Sequence, residues 1–427
     1  MTPWVLIVAP PCAPEIAALA RPRSPSSIIV RHTLAVLLVL ACAVCLPLSG
    51  CRSHPRIRPF ARDELAATPR LASLLAHAHQ HRFQLLVSEV VPSSQGTPTL
   101  RRRGFRVDAE YFYPASTVKL AAAVVALQQA EGLADLLAER DILDAPLEFS
   151  PLFPGDAPQS TDPTNEPTHA ITLAHEIRKL ALVSDNQAFN RLYDFVGHEQ
   201  LNLAMRRAGF RSLIINHRLS DPRPIPNQLE SAAIRVHSPA RVLELPARHS
   251  TISLVNSHLG LHVGHGFMQG DTLVSQPMDF SRRNAISLVD LQNLLIAVVR
   301  PDIDLGSPRV HLGPHARELL VHALTIYPRE STNPRYDPAA YPDDYAKFLL
   351  PGIRRVFPQT SRDSRVQVTG KVGQAYGFTI ENCYVHHPTS RRSFFLTAVL
   401  YTNADGILND DAYEYDSIAL PALADLG

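Results

Sequence analysis

The stretch Thr117-Val118-Lys119-Leu120-Ala121-Ala122-Ala123-Val124-Val125-Ala126-Leu127 constrains this chain more than any other. Apolar positions recur on all sides of it, so the spacing predicts a helix from Thr117 to about Ala130, buried on most faces. A helix of that kind needs other elements packed around it. One charge interrupts it. Lys119 is costly in such a place unless it is paired or its pKa is lowered. Ser116 stands three residues earlier, so the two side chains share a face near the helix start. There the helix dipole favours developing negative charge, and a desolvated amine can take the serine proton. Ser-x-x-Lys alone is a common pattern, in which the serine caps a helix and the lysine meets water, so other features must decide.

Two further motifs bear on it. Val183-Ser184-Asp185-Asn186-Gln187-Ala188 opens a second predicted helix, Asn186–Phe195. Ser, Asp and Asn are all good helix caps, which is the plain reading of that tripeptide. Thr369-Gly370-Lys371-Val372-Gly373-Gln374 ends a predicted strand near the C-terminus. Gly373 permits a close backbone approach there, and Lys371 supplies positive charge.

Helical spacing of Leu65, Leu71, Leu74 and Leu75 follows Asp63, then strand patterns cover Phe83–Val91 and Leu100–Ala109. Helices fill most of the chain to residue 208, including Glu199–Arg207. The stretch 210–283 reads as irregular, with short strand-like runs such as Thr251–Val255. Helices return at Leu288–Val299 and His315–Ile326. Three strands follow, Arg365–Gly373, Gly377–His386 and Ser393–Thr402, and a closing helix, Asp411 to Leu426, broken at Pro421. This order predicts an α+β fold: one antiparallel sheet from both chain ends, helices on its faces, and a helical subdomain between.

Residues 1–50 stand apart. Arg31 and His32 precede an apolar run, Thr33 to Leu46, too short to span a bilayer comfortably and fitting the core of a secretory signal. It ends in Leu48-Ser49-Gly50-Cys51, which resembles a bacterial lipobox with Cys51 as the lipidated residue. Residues 1–30 fit neither a signal nor a domain, and Val30 is a candidate initiator. The expected organisation is a signal segment at 1–50, a lipidated cysteine and tether at 51–62, and the domain at 63–427. The expected location is a bacterial envelope membrane, through the lipid anchor. Downstream of Cys51 only Cys383 remains, so no internal disulfide can form and the core must hold the domain together. A formal net charge of +1 gives no reason to expect a nucleic-acid partner. His77, His79 and His81, and His258, His262 and His265, read as surface or packing histidines rather than a metal site.

Taken in order, Ser-x-x-Lys, Ser-Asp-Asn and Lys-x-Gly make the chain resemble class A β-lactamases and, more widely, the penicillin-binding D,D-peptidases, over most of 63–427. The resemblance implies Ser116 as an acylated nucleophile, Lys119 as its base, Ser184 and Asn186 on the opposite wall, and Lys371 anchoring a substrate carboxylate. It also implies an oxyanion hole from the backbone N–H groups of Ser116 and Gln374, each donor worth roughly 3–4 kcal/mol in acyl transfer, with no metal or cofactor. The implied substrate is a β-lactam or a peptidoglycan-like molecule, and the implied state a monomer.

Two positions depart from the pattern. Val372 stands where the family has Thr or Ser, removing a charge-assisted hydrogen bond worth roughly 1.5–3 kcal/mol. No glutamate occupies the deacylating position; Asn216-His217-Arg218-Leu219-Ser220-Asp221-Pro222 offers Asp221 as the nearest carboxylate, or as a turn residue before proline. The extra length at 225–283 and 327–350 predicts a reshaped cleft. A D,D-peptidase or esterase, or a lipoprotein that binds without turnover, are the alternatives these departures leave open.

Overall fold

A computed structural model describes residues 56–427, apart from 94–95, 138–141, 240, 308 and 358–365. Cys51 and the expected signal segment lie outside the described residues. Helix α1 (Pro69–Ala76) precedes strands β1 (Gln84–Val91) and β2 (Thr99–Phe105). A single 3-10 turn, Ala115–Val118, leads into α2 (Lys119–Leu137), followed by α3 (Leu173–Leu182), α4 (Asn186–Val196) and α5 (His198–Ala208). After the irregular insert come α6 (Leu288–Val299) and α7 (Pro314–Thr325). The chain closes with β3 (Gln367–Gly370), β4 (Gly373–Ala375), β5 (Phe378–His387), β6 (Arg392–Tyr401) and α8 (Leu420–Leu426).

The main sheet joins both chain ends in the order β2, β1, β6, β5, β3, with β4 also on β5. All of these pairings are antiparallel. Arg58–Pro59, inside the expected tether, lies parallel to β2 at the sheet edge. The α+β architecture is therefore that read from the element order. Alternation along β6 divides the core: Phe395, Val399 and Tyr401 pack with the α2 and α6 layer, whereas Leu396, Ala398 and Leu400 meet α1, α8 and Leu350–Val356. Between β6 and α6 runs a buried polar seam, in which Gln292 Nε2 donates to Leu86 O and Thr397 Oγ1, at 2.9 and 3.1 Å.

Leu120 to Leu127 are all at most 2% exposed, so the apolar stretch is the centre of the helical layer, as its sequence requires. Helix starts follow side-chain caps: Thr172 for α3, Asp185 for α4 and Ser287 for α6 each accept a backbone N–H three residues on.

Four details differ from the sequence reading. The helix expected from Thr117 begins as a 3-10 turn, because Ala115 has φ 47° and the chain enters from an elbow. Strand β2 ends at Phe105, not Ala109, since Arg106 and Asp108 take positive φ and turn the chain away. Thr251–Val255 forms no strand; the Thr251 N–H goes to Glu199 Oε2 at 2.8 Å instead of a neighbouring strand. The closing helix expected from Asp411 starts at Tyr415 as a π turn, Tyr415–Ala419, and changes to α8 at Leu420, with Pro421 in the first α turn, where its missing N–H costs nothing. The insert itself is organised by short pairings, including Gly266–Gln269 with Thr272–Val274 and with Ile407–Leu408.

Candidate active site

Ser116 is the one residue of Tyr111–Leu127 that is not buried. The turn delivering it is fixed by Pro114, whose carbonyl accepts the Thr117 N–H at 3.1 Å and the Thr117 hydroxyl at 2.6 Å. Positive φ at Ala115 raises the serine at the mouth of α2. Positive φ also occurs at Ser220 and Tyr376, which line the same cleft as Ser116, and at Ser184.

Two buried lysines, Lys119 and Lys371, share one hydroxyl, that of Ser184. Lys119 Nζ donates to Ser184 Oγ at 3.2 Å, to Asn186 Oδ1 at 2.6 Å and to the Ser184 carbonyl. Lys371 Nζ donates to the same Ser184 Oγ at 2.8 Å and to Val372 O at 3.0 Å. Burial pushes the Lys119 ammonium well below the ordinary lysine range, and the Lys371 charge pushes it further; only Asp185 opposes this. Burial brings Lys371 down to about 7, against the pull of Glu381. Sequence spacing predicts a meeting of Ser116 and Lys119, but none of the Lys119 hydrogen bonds among the described residues reaches Ser116. Left-handed backbone at Ser184 turns both its carbonyl and hydroxyl onto the amine instead.

Gly373 brings the third motif to the first. A methyl group added there would lie 2.8 Å from Pro114 O and 3.0 Å from Ser116 N, so only glycine lets β4 run this close to the serine backbone. Gln374 follows it, exposed and lining the cleft beside Ser116. Lys371 is fully buried behind Ser184, with Val372 4% exposed beside it.

The cleft is about 1270 Å³, walled by Ser116 and Asn186, by His217–Ile225, by the insert's Phe267–Gly270, and by Gln374–Tyr376. Its loop wall is tied down by residues that the motif reading passed over. Ser220 Oγ accepts from Asn186 Nδ2 at 2.7 Å. Asn190 exchanges two bonds with Leu219, at 2.9 and 3.0 Å. Asn190 is one helical turn beyond Asn186, a spacing that marks it as facing the same wall. Asp221 lines the cleft, but its Oδ1 accepts the Arg223 N–H at 2.9 Å and its Oδ2 lies 3.6 Å from Arg223 Nη1, so this carboxylate closes its own turn. Below α4, Asp162 and Glu176 are buried with Lys179 and Arg191, a charged cluster that also escaped the sequence reading.

Chemically, this arrangement holds a partly exposed serine at a helix N-terminus with strand backbone against it, and on the neighbouring Ser184 two buried amines whose proton affinity is lowered. A family model described as the beta-lactamase enzyme family matches residues 99–255. Over that stretch the chain resembles the β-lactamase enzyme family. Among solved structures it is similar to a class A beta-lactamase from Mycobacterium abscessus, at 16% identity and TM-score 0.46 over 86% of this chain and 98% of that one. A beta-lactamase from Burkholderia ambifaria is 15% identical with TM-score 0.45, over 83% and 95% of the two chains. One from Desulfarculus baarsii is 16% identical with TM-score 0.45, over 86% and 97%. No curated protein matches the sequence.

Proposed function

We propose that this β-lactamase-like chain is a serine hydrolase that turns over acyl or amide substrates, β-lactams foremost, through an acyl-enzyme on Ser116. The observation that carries the reading is the shared Ser184 hydroxyl, contacted by both Lys119 and Lys371, with Lys119 three residues after Ser116, the one unburied residue of Tyr111–Leu127. Lys119, disfavoured as an ammonium by burial, takes the Ser116 proton as Oγ attacks the carbonyl carbon. The backbone N–H groups of Ser116 and Gln374 hold the oxyanion, and Gly373 is what permits their approach. Ser184 then passes a proton to the leaving nitrogen, and Lys371 keeps that hydroxyl oriented and adds positive charge for a substrate carboxylate. Asn186 positions Lys119 on one side and the Ser220 loop on the other.

Val372 favours a second reading, a D,D-peptidase or esterase, because it lacks a hydroxyl to hold the β-lactam carboxylate. Labelling with a fluorescent penicillin separates the two. Fast labelling and release is the β-lactamase result and a persistent adduct the peptidase result. Equal absence of labelling by penicillin and by broad acyl-serine probes, in wild type and in Ser116→Ala, removes both. We also propose that Cys51 carries lipid and holds the domain at a bacterial envelope membrane; mass analysis of the mature N-terminus checks this, and an unmodified, unprocessed chain contradicts it.

A further inference from the structure

Hydrolysis of an acyl-enzyme requires a base for water, and Asp221 is occupied by its own turn. A different group in the same wall is built for the task. His217 is 5% exposed and lines the cleft together with Ser116. Its Nδ1 lies 2.6 Å from the carbonyl oxygen of Arg218. A carbonyl only accepts, so Nδ1 carries the proton and Nε2 presents a lone pair. That Nε2 is buried and has no hydrogen-bond partner among the described residues. Buried polar atoms are almost always satisfied, by protein or by ordered water, so this orphan acceptor on a residue of the cleft wall is a hydrogen-bonding group that the protein leaves for a water drawn in from the cleft.

The imidazole is also held in place. The His217 backbone N–H donates to Asn284 Oδ1 at 3.2 Å, and the His217 backbone carbonyl accepts from Asn284 Nδ2 at 3.2 Å. The Tyr113 ring, three residues before Ser116, lies parallel to it within 3° at 6.1 Å between centroids. Burial lowers the His217 pKa to about 4; the Arg218 carbonyl and Asp221 oppose that shift, and Arg283 adds to it. The ring is therefore neutral at neutral pH, with basicity in the range of an ordinary carboxylate.

We propose that His217 Nε2 is the general base of deacylation in this chain, replacing the carboxylate that class A β-lactamases use; the proposal rests on the Ser116 reading. In the step, a water held by Nε2 gives it a proton while the water oxygen bonds to the acyl carbonyl carbon. The tetrahedral intermediate collapses by breaking the bond between that carbon and Ser116 Oγ. The imidazolium returns its proton to Oγ, releasing the carboxylic acid and restoring both side chains.

Rapid-mixing kinetics with a chromogenic cephalosporin, with intact-mass detection of the acyl adduct, test this on wild type, His217→Asn and His217→Gln. Asn keeps an N–H at the δ position for Arg218 and removes Nε2. The expected result is acylation within about threefold of wild type and release slowed at least about 100-fold, so that the adduct accumulates. Acylation itself reports that a variant is folded. Wild-type release rates in either acylating variant overturn the base assignment and leave the Ser116 reading intact, as does a wild-type adduct that never decays. Loss of acylation and release together in both variants, with unchanged melting, also overturns it, since His217 then serves the first step or the shape of the site. A wild type that forms no adduct overturns the Ser116 reading, and this proposal with it.

Discussion

Gly373→Ala is the sharpest perturbation of this site, because it adds one methyl group and changes no charge. The new Cβ would stand 2.8 Å from Pro114 O, 3.0 Å from Ser116 N and 3.1 Å from Ala115 Cβ, where ordinary contact begins at 3.4 Å. Two of these neighbours are backbone atoms, which cannot swing aside as a flexible side chain would. Either β4 or the Ser116 elbow must therefore retreat by roughly half an ångström, and misplacement of about 1 Å costs around 100-fold in rate. The expected loss in the acylation rate constant is about 10- to 100-fold, equivalent to roughly 1.4–2.7 kcal/mol in the barrier. Overpacking should also lower folding stability, by about 1–3 kcal/mol. Stopped-flow labelling with a fluorescent penicillin measures the first quantity, and denaturant unfolding of the same preparation the second. Wild-type acylation by Gly373→Ala would refute the argument that β4 must lie against the serine backbone.

Three further outcomes follow from the same geometry. Lys371 has a folded pKa of about 7 against an ordinary value of 10.5, so between those pH values the unfolded chain binds a proton that the folded chain does not, and stability rises with pH. Lys371→Met should flatten that rise across pH 7 to 10 in urea titrations, and an unchanged slope would count against a desolvated amine. Val372→Thr restores the missing hydroxyl, and labelling by penicillin should quicken by about 10- to 100-fold, the equivalent of one charge-assisted hydrogen bond; no gain would mean that another group holds the substrate carboxylate. Arg191→Leu leaves Asp162 and the fully buried Glu176 short of a cation, 3.3 and 3.0 Å from the lost Nη1. It should cost about 3–5 kcal/mol by denaturant unfolding, and a loss under 1 kcal/mol would show that Lys179 alone suffices.

Periodicity made much of the fold legible. The all-round apolar helix, the Leu71, Leu74, Leu75 face and the last two C-terminal strands sit where the sequence puts them, whereas the strand expected over Arg365–Gly373 stops at Gly370 and pairing resumes separately in β4 from Gly373. Chain punctuation was less legible. Pro421 reads as a breaker, yet the first turn of a helix tolerates proline, and sequence alone does not say where that turn begins. Within the site, the three motifs were visible and their convergence on Ser184 was not, because it depends on left-handed backbone at a serine, a conformation that serine does not advertise. Asn190 carried a local sign, its one-turn spacing from Asn186, but Ser220 and Asn284 did not. They act through hydrogen bonds between segments 34 to 68 residues apart, which leave no local pattern. His217 lies in a stretch where Asp221 is the conspicuous candidate, and its orphan nitrogen emerges only once the fold has buried it.

The central claim is that Ser116 becomes acylated, and the most direct measurement is the site of the covalent adduct. Wild type and Ser116→Ala are each treated with a penicillin, quenched, and followed by intact mass and then by peptide mapping. The account predicts one adduct per chain of the mass of the opened lactam, carried on the peptide containing Ser116, and none on Ser116→Ala. An adduct that persists in Ser116→Ala, or maps to a different residue in wild type, contradicts it.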